Sequence, residues 1–462
     1  MSMLGLGHLL NLPEGRTLEF KQDMTSLKPI LKTLIAFANT AGGTLVIGRS
    51  DDGKILGIKN VLEAEERLAN AIADSVAPPL IPKIEIVSTK GQSLIVVRVP
   101  YWSGPFYLKS AGKSQGVYIR LGSTNRAAGE EFLAELKRSV KKVGFDQMPC
   151  PEVGESGLDK DRLDKAFAKI GKKVSTQMLK TLNILVPYGD TFVCSNGGVI
   201  LFGKDEYRSR LFPNAEVRCA RFRGTTKTHF IDHYDVDGTI LEAMYEVPKF
   251  IQRNTRLAAR IEKIQRKDIP EYSPLVIREV LANALVHADY SLLGMNPRVA
   301  IFSDRMEVES PGMAPFGFVF ADFFSGISHV RNKVIARVFR ELNIIEEWGT
   351  GYKRIEDACH EEGYPIPNWL ELGASIRVAL KPHPVTLDAE EHPVKEALTE
   401  RQEEIIALFQ GKEKLTTKEV HKKMTTTISE RTLRNDLSAM QKKGVIKMVG
   451  RGPGAQWKLV GT

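Results

Sequence analysis

Two sets of residues in this 462-residue chain are of types that chemistry on phosphates can use. The first is Glu279 and Asn283, one helical turn apart in the apolar run LVIREVLANALVHA. An asparagine inside so apolar a helix costs free energy unless its amide finds a partner. Spaced by four, the two side chains share one face, and a carboxylate beside an amide oxygen makes a hard-oxygen pair for Mg²⁺ and a water. Taken alone the pattern is weak, and a satisfied contact between packed helices is its default reading. Its context adds weight. Ser310-Pro311-Gly312 and then Gly349-Thr350-Gly351 follow, the latter at the start of a new helix. Free backbone N–H groups and the helix dipole make such a start suited to phosphate. The second set is Glu14, Glu19 and Asp51. Three such acids can hold one or two divalent ions for phosphodiester hydrolysis, or they are solvated loop charges.

Basic residues supply the other half of a phosphate-directed chemistry. Lys21, Lys109, Lys113, Arg120 and Arg126, interleaved with Tyr107 and Tyr118, suit backbone contacts and base stacking. The chain carries a net charge of +9, and Leu398 to Val460 holds 13 basic against 7 acidic residues, a net +6. That local excess is the electrostatic footprint expected on a nucleic-acid backbone. A solubilising surface would show the same charge.

The elements that must position these groups are legible in outline. Ser26 caps a helix with an apolar stripe at Leu27, Ile30, Leu31, Leu34 and Ala38, stopped by Gly42-Gly43. Strands are expected at Thr44 to Gly48, Ile84 to Val87, Leu94 to Val99 and Val117 to Leu121, with a helix from Gly129 to Val140. The Pro- and Gly-rich stretch from Phe145 to Gly157 reads as a linker. Beyond it the pattern predicts strands at Gly198 to Phe202 and Glu216 to Phe222, then a long helix from about Leu241 to Gln265. Ser273-Pro274 opens the Glu279 helix, with serine as N-cap and proline in its first turn. A second linker, Lys381 to Ala397, precedes a C-terminal segment of three short helices and a two-stranded hairpin. In its third helix, Glu430 to Lys443, Leu433, Leu437 and Met440 face inward, while Arg431, Arg434 and Asn435 face out. Arg451 lies at the hairpin tip.

Length allows about three domains. No apolar run approaches the roughly 18 residues of a membrane span, and Met1 to Leu12 lacks the basic start and cleavage site of a signal peptide. The four cysteines form no CxxC pair, so neither a disulfide framework nor a zinc site is expected, and a reducing, cytoplasmic setting fits.

Three stretches resemble known families. From Glu14 to Leu136, the runs EGRTLEFK, FANTAGG and YIRLGS resemble the Schlafen-type AlbA-like domain. That resemblance implies nucleic-acid binding. It also implies, for some members, RNA cleavage by two glutamates and an aspartate, here Glu14, Glu19 and Asp51, although Ser50 stands where the third acid is wanted. From Leu275 to Leu380, EVLANALVHADY, SPG and EEWGTGYKRI resemble the GHKL (Bergerat-fold) ATPases. This implies ATP and Mg²⁺ as ligands, Glu279 as activator of water, Asn283 as Mg²⁺ ligand, and Gly312, Gly349, Thr350 and Gly351 around the nucleotide. It also implies homo-oligomerisation. The usual D-x-G-x-G is replaced by Ser310-Pro311-Gly312-Met313-Ala314. The C-terminal segment resembles the winged helix-turn-helix family, whose recognition helix reads the major groove, with protein docking as the other use of such modules.

The expected architecture is therefore an α/β multidomain chain: a Schlafen AlbA-like α+β domain over 1–143, a connecting region over 158–270, a GHKL-type α/β sandwich over 271–381 and a winged helix over 394–462. The expected function is a nucleotide-gated, DNA-binding transcriptional regulator. The alternative is a metal-dependent endoribonuclease of defence or stress, with the ATPase-like part as sensor.

Overall fold

The computed structural model describes residues 5–262, 265–318, 329–345, 351–387, 400–409, 414–424, 430–442, 446–449 and 455–459. The chain forms two compact units, one reaching to Ala389 and one centred on Glu390–Thr462. The mixed α/β class expected from the sequence is what the chain adopts.

The first module is built on a four-stranded sheet. Its strands run in the order Leu18–Lys21, Gly43–Ile47, Gln92–Val99 and Lys83–Thr89, the first pair parallel and the others antiparallel. Strand alternation sorts the side chains. Leu45, Ile47, Ile95 and Val97 pack under helices Leu27–Thr40 and Val61–Ser75, while Phe20, Val46, Leu94 and Val96 meet Leu9 on the other face. Gly42 makes the turn between helix and strand at φ +72°, where a Cβ would lie 2.8 Å from the Val99 carbonyl oxygen.

The second sheet has six strands, in the order Phe230–Val236, Val217–Phe222, Arg298–Ile301, Met306–Pro311, Ser375–Leu380 and Asn368–Leu372. Val217, Cys219, Val299, Ile301, Met306, Val308, Val378 and Leu380 line its inner face, against helices Ile240–Arg253, Pro274–His287, Lys333–Glu341 and Gly351–Glu362. Two of the six strands come from residues before 271, so the ATPase-like sandwich draws on what the sequence presents as connecting region.

Two elements differ from expectation there. Gly198 to Phe202 is part of a buried helix, Asn196–Phe202, because Ser195 caps it, its Oγ accepting from Gly198 N at 3.0 Å. A short, wholly buried apolar run has no periodicity to separate helix from strand. The long helix stops at Arg253, and a hairpin follows, Leu257–Glu262 with Gln265–Pro270.

One buried acid ties the linker to the ATPase-like sandwich. Asp146 accepts from the backbone N–H groups of Val334 and Ile335 at the start of the Lys333–Glu341 helix. Burial pushes its carboxyl up from 3.8 to about 6, against the opposing pull of those N–H groups. A carboxyl raised on folding stabilises the fold below its unfolded value and loses that contribution as pH climbs through the folded one. Wild-type stability should therefore fall between about pH 4 and pH 6, by up to about 3 kcal/mol from this group. Denaturant unfolding of Asp146→Asn should lack that component of the pH slope. An identical slope in both proteins would show that Asp146 does not titrate there.

The C-terminal unit has its own core of Ile405, Phe409, Leu415, Val420, Leu433, Leu437, Met440, Ile446 and Trp457. Helices Glu400–Ala407, Thr417–Lys423 and Glu430–Lys442 surround a three-stranded sheet of Leu415–Thr416, Gln456–Leu459 and Ile446–Val449. Thr416 and Glu419 form a reciprocal capping box at the second helix. Among the described residues no helix is long and apolar enough to cross a membrane.

Candidate functional site

The Pro274–His287 helix starts with proline at its first turn, as expected, although the Ser273 hydroxyl donates to Glu362 Oε2 at 2.8 Å instead of capping. Glu279 is 5% exposed and Asn283 is half-buried one turn later. Against them stands Gly351, first residue of the Gly351–Glu362 helix. A Cβ on Gly351 would lie 3.4 Å from Glu279 Oε2 and 3.8 Å from Asn283 Nδ2. Residues picked from two separate stretches of sequence thus meet in space. Gly349 and Thr350 lie outside the described residues.

Arg354, one turn beyond Gly351, places its Nη1 3.3 Å from Glu279 Oε1. Sequence reasoning missed it. Its signal is the spacing itself, since i and i+3 share a helix face.

The Ser310-Pro311-Gly312 segment stands where the ATPase resemblance has D-x-G-x-G. Ser310 Oγ donates to the Ala284 carbonyl at 2.7 Å, pinning strand to helix. Gly312 sits at φ +102°, where a Cβ would lie 2.8 Å from Asp289 Cβ and 3.1 Å from Arg331 Nη1. Its N–H donates to the Ala374 carbonyl at 2.7 Å and so is not free for an anion. Glycine is needed there for close approach to a buried ion cluster. In that cluster Arg331 Nη1 lies 2.9 Å from both Asp289 Oδ2 and Glu135 Oε1. Burial raises the Glu135 carboxyl, partly offset by Arg331.

Glu135 belongs to the first module, so the cluster bridges two modules, and it is not the sole bridge. Arg16 pairs with Glu371 and donates from Nη2 to the Ala314 carbonyl at 2.9 Å, while Ala314 N donates to Glu371 Oε1 at 3.0 Å. Met313 is buried among Val117, Ile119 and Leu136. The chain leaving Gly312 is thereby held by the first module.

Within the first module the three acids go separate ways. Glu14 Oε1 accepts from the Phe20 backbone N–H at 2.8 Å. Glu19 is 5% exposed and paired with both Lys21 and Arg120. Asp51 is exposed in its turn, and its neighbour Asp52 is the one that accepts from Ser50 and pairs with Lys54. Among the described residues no group of three His, Cys, Asp or Glu is placed to hold a metal.

Arg120 departs from the expected phosphate contact. It is 1% exposed, and besides Glu19 it donates to the Gly15 carbonyl at 3.0 Å, Asn125 Oδ1 at 2.9 Å and the Leu18 carbonyl at 3.3 Å. With its donors spent inside the fold, it positions the Glu14–Glu19 segment and does not touch phosphate. Lys109 and Arg126 are exposed, the former with Nζ 3.1 Å from the Ala73 carbonyl. Lys32, which sequence reasoning passed over, holds its Nζ 5.0 Å from the centroid of the Tyr118 ring.

On the Glu430–Lys442 helix, Arg434 and Asn435 are exposed while Leu433, Leu437 and Met440 are fully buried, as the stripe requires. Arg434 Nη2 lies 3.6 Å from Glu430 Oε2. The Arg431 side chain and all of Arg451 lie outside the described residues.

Three family models match separate stretches of the chain. Residues 14–129 match the Schlafen, AlbA_2 model. Residues 294–380 match the model described as "Putative ATP-dependent DNA helicase recG C-terminal", and residues 401–452 match the DeoR-like helix-turn-helix domain. The chain thus combines a Schlafen AlbA-like domain, an ATPase-like domain and a C-terminal helix-turn-helix. Among solved structures, the DIP2311 protein from Corynebacterium diphtheriae is 18% identical, with 96% of this chain and 92% of that chain covered at a TM-score of 0.45. The N-terminal domain of a RecG-related protein from Nitrosomonas europaea is 28% identical over 28% of this chain and 95% of that chain, with a TM-score of 0.23. No curated protein matches the chain significantly.

Proposed function

We propose that this chain is a transcriptional regulator whose hold on DNA is set by ATP. The observation that carries the reading is the convergence of Glu279, Asn283 and Gly351. Gly351 sets the start of a helix beside a carboxylate and an amide, which is the donor set a phosphate-bound Mg²⁺ and a water call for. Asn283 would hold the metal, Gly351 with Gly349 and Thr350 would approach the phosphates, and Mg²⁺ would neutralise phosphate charge there. Glu279 would orient and polarise a water, its carboxylate steadied by Arg354.

Gating follows from the bridges between modules. Arg16 and Glu135 connect the first module to Ala314, Glu371 and Arg331. A nucleotide that shifts the segment after Gly312 changes how the first module presents Lys109 and Arg126. The endoribonuclease alternative asks for carboxylates free to bind metal, and the Glu19 carboxylate is committed to Lys21 and Arg120. Homo-oligomerisation, implied by the ATPase resemblance, forms part of the proposal.

The test is duplex-DNA affinity of the full chain with and without Mg²⁺ and a non-hydrolysable ATP analogue. A change of at least about fivefold is expected, the lower end of ordinary allosteric coupling. Equal affinities at saturating analogue would end the gating proposal. In the same assay Arg434→Ala should cost about 1–3 kcal/mol at a preferred site if it reads a base edge. A uniform loss across sequences would instead make Arg434 a phosphate contact.

A further inference from the structure

The segment Pro149 to Ser195 repeats the order of elements of the C-terminal helix-turn-helix. In the C-terminal unit a short strand, two helices and a hairpin follow one another, and the last strand lies in the centre of the sheet. Trp457 in that strand pairs with Leu415 on one side and Met448 on the other. In the middle segment the short strand is Pro149–Cys150, the helices are Lys160–Ala168 and Thr176–Thr181, and the hairpin is Leu185–Tyr188 with Thr191–Ser195. Its last strand is again central, Cys194 pairing with Cys150 and with Leu185. Leu163, Phe167, Leu179, Leu182, Ile184 and Cys194 make its core, joined by the buried Asn196–Phe202 helix.

We propose that this segment is a second winged helix and that its outer face binds duplex DNA. The reading goes beyond nucleotide gating and does not depend on it. From Lys165 to Gly189 the sequence has five lysines and no Asp or Glu. Lys165, Lys169, Lys172 and Lys173 are exposed, and Lys180 lies with Nζ 3.7 Å from the centroid of the Phe192 ring, which ties the second helix to the hairpin. Lys172 is paired with Glu341 in an exposed bridge, a weak contact that phosphate readily replaces. Ser175 caps the second helix, its Oγ accepting from Met178 N at 3.2 Å; Gln177 and Thr181 are exposed along it, and the exposed Thr176 hydroxyl donates to Glu155 Oε1 at 2.8 Å. Hydroxyl and amide groups on a helix flanked by lysines suit base edges flanked by phosphates. Tyr188 and Phe192 leave the hairpin 50% and 44% exposed, where a wing meets the backbone. Between Asp164 and Asp190 the only charged side chains are lysines, and charge of one sign favours a polyanion over an ordinary protein surface.

The test uses the full chain and a mixed-sequence DNA duplex. Lys172→Gln, Lys173→Gln and Lys180→Gln, combined, should weaken binding roughly tenfold for any sequence at low salt, and should lower the slope of log K against log salt by about 2 to 3. Arg434→Ala, measured in parallel, reports the C-terminal module separately. Hydrogen exchange on the wild-type protein gives a second readout that needs no variant: amides of residues 176–192 should slow when duplex is added. An unchanged slope in a folded triple variant overturns the proposal. So does protection confined to Glu430–Lys442, or single-stranded RNA displacing the duplex from residues 176–192. Slowing of those amides by a protein partner but not by duplex would make the face a docking site, and would overturn it equally.

Discussion

Glu19→Gln is expected to destabilise the first module by about 3–5 kcal/mol, the cost of leaving one member of a buried ion pair without its partner. Arg120 stays charged at any accessible pH, and its guanidinium is fully buried between Gly15, Leu18, Asn125 and Glu19. A glutamine amide keeps the shape but returns no charge, so both Arg120 and Lys21 lose their counterion. Denaturant unfolding should show a lowered midpoint with a similar m-value. Replacing both members, Glu19→Leu with Arg120→Met, should recover only part of the loss, since two buried charges go together while the Gly15 and Leu18 carbonyls and Asn125 Oδ1 lose their donor. A wild-type midpoint in Glu19→Gln would mean that the pair is hydrated and contributes little.

This expectation also settles how the nuclease alternative is best tested. Loss of cleavage in Glu19→Gln would follow from unfolding as readily as from a missing metal ligand. Glu14→Gln is the cleaner variant, because Glu14 accepts one backbone N–H, which an amide oxygen also accepts. Wild-type protein incubated with structured RNA and Mn²⁺ is expected to leave it intact. Mn²⁺-dependent cleavage that vanishes in a folded Glu14→Gln protein would make the endonuclease the primary reading.

The second large effect concerns ATP. Asn283→Ala should weaken ATP–Mg²⁺ binding by about 3 kcal/mol, roughly a hundredfold in Kd, because the amide oxygen offered to the metal is gone. Glu279→Gln should retain binding and lose any hydrolysis, since only the group that polarises water has changed. Calorimetric titration separates the two variants. Undiminished affinity in Asn283→Ala would remove the nucleotide assignment, and with it the gate. Asn283→Ala leaves the packed face of Val276, Ile277, Val280, Leu281 and Leu285 unaltered, whereas Glu279→Gln also removes the Arg354 counterion, so its unfolding midpoint is measured alongside.

Local signals carried much of this molecule. The stripe of Leu433, Leu437 and Met440 foretold the buried face of its helix, because a period of 3.6 residues maps directly onto one side of a helix. The four-residue spacing of Glu279 and Asn283 placed them on one face for the same reason, and Gly42-Gly43 marked a turn that only glycine tolerates. What the sequence alone left open depends on residues far apart in the chain. Arg120 looks like any surface arginine until the fold brings it onto Glu19, a hundred and one positions away. Gly312 reads only as a glycine of a nucleotide motif until Asp289 and Arg331 close on it. The helix at Asn196–Phe202 and the hairpin after Arg253 were misread because burial removes polar periodicity and strand pairing overrides helix propensity. The winged order of Pro149–Ser195 rests on which strand pairs with which, and hydrogen-bond pairing between strands leaves no mark in either strand's own sequence.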